Sequence, residues 1–190
     1  MGEKKVRGLF EVENARIVYK NFSGRETEFN EAGNRNFGVL ISDEDAERLS
    51  ADGWNVKYMK PRDDDPDEYK QPWLPVKVRF GNYPPIVYII KPNKGDPRKI
   101  KLDEDTVGQL DWAYIESCDI QIRPYNYPAR SGRPAGVSAY LKCLYATIRE
   151  DDLEKKYGSI PEVGDVDDED QQFDKSWKWG ARRIGPKDEC

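Results

Sequence analysis

The side chains with chemistry to offer are tyrosines and arginines crowded into residues 117–149, SCDIQIRPYNYPARSGRPAGVSAYLKCLYATIR. A guanidinium or ammonium group meets phosphate oxygens, and a flat ring stacks on an unpaired base. Five bases (Arg123, Arg130, Arg133, Lys142 and Arg149) stand here against one acid, Asp119, in a chain whose formal net charge is −5. That combination suits a single-stranded nucleic acid, held by a local basic patch rather than by the whole surface. An ordinary amphipathic hairpin with a solvated outer face uses the same residue types. From this segment alone both readings stand.

Catalytic chemistry has less support. The chain holds no histidine, which removes the usual general base of serine and cysteine hydrolases and most zinc sites. Neither the GxxxxGK[ST] phosphate loop nor the GxGxxG fingerprint occurs. Carboxylate-based metal chemistry stays open on composition, but the acids lie in runs typical of solvated loops and tails. We expect a binding protein that is not an enzyme, with no cofactor and no metal site.

The elements that must position these residues follow from periodicity. Cys118, Ile120 and Ile122 alternate with Asp119, Gln121 and Arg123, the period of a half-buried strand. After a loop rich in Pro, Gly and Arg, Val137, Ala139, Leu141 and Cys143 alternate with Ser138, Tyr140 and Lys142. The pattern predicts two long strands, with Arg123, Tyr125, Tyr140 and Lys142 on one solvent face. Cys118 and Cys143 fall on inward positions and are expected to be reduced core thiols; Tyr145 follows the same inward set. Cys190 has no evident role.

Upstream, residues 4–12, 15–19, 35–42, 74–80, 86–90 and 98–102 read as strands, and 54–59 alternates again. Residues 20–34, 60–72 and 91–97 read as loops, and 81–85 as a turn. Ser42 has the character of an N-cap, with acids at 43–45, which predicts a helix over about 43–52 ending near Gly53. Residues 103–112 suit one or two further helical turns, and 151–157 a last one. Many short strands with two short helices predict a mainly β protein, a β-barrel or β-sandwich rather than a βαβ array, and a small Greek-key barrel would offer a curved sheet to an extended polymer.

The last third differs in composition. Residues 161–174 hold seven acids and no base, and 175–190 hold five bases and two acids, leaving 26 bases and 27 acids in 1–160. Most of the negative charge therefore lies in one run that cannot bury apolar surface, and we expect an acidic, disordered tail. The predicted organisation is a binding domain over 1–160 and a tail over 161–190 that ends in a basic segment with Trp177 and Trp179. No apolar run approaches 18 residues and no signal-peptide pattern opens the chain, so a cytoplasmic protein with no membrane contact is expected.

The pieces ARIVYKNFSG (15–24), GNRNFGVLI (33–41), DGWNVKYMKPR (52–62), LDEDTVGQLDWAYI (102–115), IRPYNY (122–127) and GVSAYLKCLYATI (136–148), in this order, resemble a group of bacteriophage single-stranded DNA-binding proteins. The likeness spans roughly 13–157. It implies an OB-like fold that coats single strands in phage replication or recombination in the host cytoplasm, without base preference. It also implies docking of replication or recombination proteins on the acidic run, though here Phe173 lies inside the run and a basic segment follows. On that basis Tyr125, Tyr127 and Tyr140 are expected to stack on bases. Arg123, Arg130, Arg133 and Lys142 would meet phosphates of DNA, or of RNA. Trp54, Lys57 and Tyr58, with Lys77 and Arg79, would extend the track, and core packing is the competing role for Trp54. Two other classes remain: a phage interaction or inhibitor protein (an acidic DNA mimic or a host-enzyme blocker), and a carboxylate-dependent metal nuclease.

Overall fold

The structure, a computed structural model, describes residues 6–60, 69–92 and 97–149. The chain divides at Asp151, and every described residue belongs to the first unit, Met1–Asp151. Among the described residues nine strands are formed: β1 (Phe10–Val12), β2 (Ile17–Asn21), β3 (Arg35–Leu40), β4 (Lys57–Tyr58), β5 (Pro72–Val78), β6 (Ile86–Lys91), β7 (Arg98–Leu102), β8 (Ile115–Tyr127) and β9 (Gly136–Ile148). One α-helix, α1 (Asp43–Ala51), and one 3-10 helix (Val107–Asp111) complete them. The expected tail, its basic segment and the helical turn at 151–157 lie outside the described residues, as does much of the 60–72 loop.

The main path of the sheet is β1-β8-β9-β5-β3-β2, with β4 on β5 and β7 on β6. β9 is the hub. Along one edge it pairs antiparallel with β8; along the other it pairs in parallel with β5 at Ala139–Tyr140 and then with β6 at Cys143–Thr147. The closed Greek-key barrel expected from the strand count is not formed: no ladder joins β1 to β2, and the sheet is open and mixed. Between the two edges runs the β1–β2 connection, where the Ala15 N–H donates to the Cys118 carbonyl at 2.6 Å.

The core follows the alternation. Leu74, Val76 and Val78 of β5, Phe37 and Val39 of β3, and Ile120, Ile122, Leu141 and Leu144 of the hairpin are buried together. Burying each such side chain stabilises the fold by roughly 1.5–3 kcal/mol. Trp54 joins them, only 5% exposed and edge-on to Phe10 at 6.4 Å. Ser42 caps α1 by accepting the Asp45 N–H at 3.1 Å, and Gly53, with φ of 84°, turns the chain out of it.

One irregularity changes the face assignment. Gln121 pairs with Cys143 but Ile122 pairs with Leu141, so Lys142 is an extra residue in β9. A β-bulge of this kind shifts the two-residue period by one. Beyond it Leu144 and Ala146 point into the core, and Cys143 and Tyr145 turn to the outer face. The inward placement expected for Cys143 and Tyr145 is therefore corrected. Cys143 is nevertheless buried with a free thiol, as expected of it. Cys118 does lie in the core, and burial pushes its thiol pKa up to about 12.

Candidate nucleic-acid interface

The outer face is read most simply as rows across the strands. Register places Arg123 of β8, Tyr140 of β9, Lys77 of β5, Asn36 of β3 and Asn21 of β2 in one line. Cross-strand partners share a face at about 5 Å spacing, so one row carries a cation, a ring, a cation and two amides.

Tyr140 is the centre of this arrangement. The Tyr125 ring stands edge-on to it at 5.5 Å, Lys77 Nζ lies 5.8 Å from its centroid, and the Arg79 guanidinium lies at 6.0 Å. The hairpin tip folds over beside them. Arg130 and Arg133 exchange main-chain hydrogen bonds of 2.9 Å each, and Gly132 supplies the positive φ that the tight turn requires. The Arg133 guanidinium then caps the Tyr127 ring at 4.2 Å. Tyr127 lies across its register partner Gly136, where a Cβ would collide with the phenol. The result is a concavity of about 350 Å³ lined by Lys77, Arg79, Arg130 and Arg133 with Tyr125, Tyr127 and Tyr140, and by no acid.

Among the described residues these four cations have no acid beside them in the concavity. The Lys77 ammonium is held below the usual lysine pKa, first by burial and then by repulsion from Arg79 and Arg133. An entering phosphate would relieve that repulsion. The nearest acid on the outer face of β8, Asp119, is engaged by the Asn14 N–H at 2.9 Å.

Seven of the twelve expected site residues thus come together. Arg123 stands beside Tyr140 in register, but its guanidinium donates to the Tyr83 carbonyl at 2.8 Å and lies 5.6 Å from that ring. Tyr83 was hidden from the sequence reading inside a turn. Lys142 is exposed at the bulge. Trp54 does not belong to the surface: it is core, and its buried indole N–H has no partner among the described residues.

Lys57 and Tyr58 line a separate groove of about 960 Å³ between β2, β4, β5 and the loop from Arg25 to Asn30. Its main walls, Tyr19, Phe29 and Trp73, went unmarked in the sequence. For Trp73 the signal was present, because it continues the outward phase of Lys77 along β5. A third concavity, about 490 Å³, lies between the two. It shares Lys77 and Arg79 with the first and Asn30 and Asn36 with the groove. Within it Arg35 is salt-bridged to Glu104 at 2.9 Å.

Among the described residues no group of three His, Cys, Asp or Glu side chains could hold a metal ion, and no helix is long and apolar enough to cross a membrane.

Comparisons with known proteins identify the family of the chain. A family model described as "Putative phage ssDNA-binding domain" matches residues 2–181. No curated protein matches the chain. Among solved structures, the chain is similar to the single-stranded DNA-binding protein from bacteriophage Enc34, as a C-terminal truncation and in complex with ssDNA. Each comparison gives 15% identity over 78% of this chain and 94% of that one, with a TM-score of 0.45. It is also similar to gp2.5, a single-stranded DNA-binding protein encoded by bacteriophage T7, at 10% identity over 84% of this chain and 98% of that one, with a TM-score of 0.37. These structural likenesses are weak, and the family match carries the assignment.

Proposed function

Because the chain belongs to the phage ssDNA-binding domain family, we propose that it binds single strands in the host cytoplasm and coats them during phage replication or recombination. The observation that carries this reading is the acid-free concavity around Tyr140, where three tyrosines stand among four cations. Cations meet the backbone and rings stack on bases, and neither contact reads a base edge, so binding is independent of sequence. RNA offers the same groups and is accepted by the same chemistry. The hub role of β9, with β5 and β6 sharing one of its edges, supports an OB-like reading of the open sheet. Residues 1–160 serve as the binding domain and the acidic run at 161–174 as a docking segment for replication or recombination proteins. An acidic DNA mimic would present carboxylates where this face presents lysine and arginine. A titration of the intrinsic fluorescence with oligo-dT and with a duplex of equal length tests the proposal. Quenching by the single strand at lower concentration is expected; equal or stronger response to the duplex overturns it.

A further inference from the structure

We propose that the groove walled by Tyr19 and Trp73 is a second base-stacking subsite for the same unpaired strand; the inference rests on the single-strand reading above. The first observation is conformational. β2 carries an extra residue relative to β3 between Val18 and Asn21, and Tyr19 sits at this bulge with φ of 51°. Glycine is the residue that takes such a position without strain, and an aromatic side chain there is an outlier. The strained backbone holds the Tyr19 ring, 60% exposed, against Trp73 at 5.0 Å and 56°. Backbone strain of this kind is retained where a side chain has to be aimed.

The second observation is the seat of Trp73. Its ring lies over Gly38, where an added Cβ would come within 2.8 Å of Cε3. The indole is fixed from below and flanked by Lys57 Nζ at 5.5 Å. A fixed ring with a cation beside it is what base stacking next to a phosphate needs. Charge agrees: Lys57 and Lys60 line the groove with Glu26 as its one acid, while the other two lining cations are engaged outside it, Lys20 Nζ on the Ala113 carbonyl at 2.9 Å and the Arg25 guanidinium over Trp112 at 4.9 Å.

Continuity decides the occupant. The connecting concavity runs from Lys77 and Arg79 to Asn30 and Asn36, so a strand leaving Tyr140 along the cross-strand row arrives in this groove. The amides on that path have little left for base edges. Asn30 Nδ2 donates to the carbonyls of Arg25, Glu31 and Asn34, and its Oδ1 accepts from Asn36 at 2.7 Å. The subsite is therefore one of stacking, not of sequence readout.

The test uses the full chain and two oligo-dT probes, one of roughly 5 and one of roughly 12 nucleotides, within the usual range of site sizes. Tyr19→Gly removes the ring and relieves the backbone, so its melting temperature should match or exceed that of the wild type. Its affinity for the longer probe should fall about tenfold and for the shorter less than twofold, because the shorter still fills the Tyr140 concavity. Trp73→Leu should give the same pattern. Wild-type affinity for the longer probe in both variants, or equal losses on both probes, would overturn the second subsite while leaving the first in place. Failure of the wild type to bind either probe would defeat the single-strand reading itself.

Discussion

Lys77 and Tyr140 are register partners in the parallel pairing of β5 with β9, and Lys77 Nζ lies 5.8 Å from the centre of the Tyr140 ring. A cation and a stacking surface are thereby fixed side by side on two core strands, not on a loop. The contact would orient a nucleotide with its base on the ring and its phosphate toward β5. Pre-organisation of this kind limits the entropy lost on binding.

Tyr140→Ala should therefore weaken oligo-dT binding by about 1–3 kcal/mol, or about 5- to 150-fold, the usual worth of one base–aromatic stack. The ring is only half-buried and makes its contacts on the outer face, so the melting temperature should change little. Unchanged affinity in a titration of this variant would remove Tyr140 from the site.

The depressed Lys77 pKa gives a pH dependence with a defined sign. In the folded chain Lys77 loses its proton below its ordinary value of 10.5. The unfolded chain then holds more protons in that window, and stability rises with pH through it. Binding runs the opposite way, because phosphate favours the ammonium form. Affinity should fall as pH rises toward 10.5, and Lys77→Arg, which stays charged, should flatten that fall. A Kd series from neutral to alkaline pH checks both; identical profiles for the two proteins would exclude Lys77 as a phosphate contact.

Glu104 holds Arg35 at 2.9 Å in the concavity that joins the Tyr140 site to the Tyr19–Trp73 groove, and the Arg35 Nε is buried without a partner among the described residues. A carboxylate on the path of a polyanion opposes binding. Glu104→Gln should tighten oligo-dT binding by a few-fold, about 0.5–1 kcal/mol, the scale of an exposed ion pair. Weaker binding would mean that the ion pair shapes the site more than it obstructs it.

Gly136 is needed for space rather than for its backbone angle, since the Tyr127 phenol occupies the room of a Cβ. Gly136→Ala should displace Tyr127 and with it the Arg133 cap, at a cost of about 1–3 kcal/mol for an overpacked contact. Thermal denaturation would register the loss, and an unchanged melting temperature would show that the ring relocates freely.

How much was legible in the sequence depends on where the two-residue period holds. Along Cys118–Tyr127 and Val137–Leu141 it is unbroken, and the outward positions of Arg123, Tyr125 and Tyr140 follow from it. At Lys142 one extra residue resets the phase, and nothing in LKCLY marks the bulge, so Cys143 and Tyr145 were assigned to the wrong face. Tyr145 instead stacks on Tyr88 at 5.3 Å under Lys99. For Trp54 the core role that competed with a place on the track is the one the structure shows, and Trp73 went unmarked. Trp54 follows a helix end and is drawn into the core by the Gly53–Val137 hydrogen bonding, a long-range contact that local pattern does not encode. Trp73 shares the phase of Lys77 and could have been found from it. Barrel closure was not legible either, because it depends on pairing between β1 and β2, which are close in sequence and end on opposite edges of the sheet.

The salt dependence of oligo-dT affinity tests the central claim most directly. With about four phosphate contacts and about 0.7 released counterions per contact, the log–log slope for the wild type should be roughly −3. The double variant Arg79→Gln/Arg133→Gln removes two of the four cations around Tyr140, and its slope should be shallower by about 1.4. A slope that stays at the wild-type value in the double variant would contradict the account, because the strand would then be neutralised somewhere else on the surface.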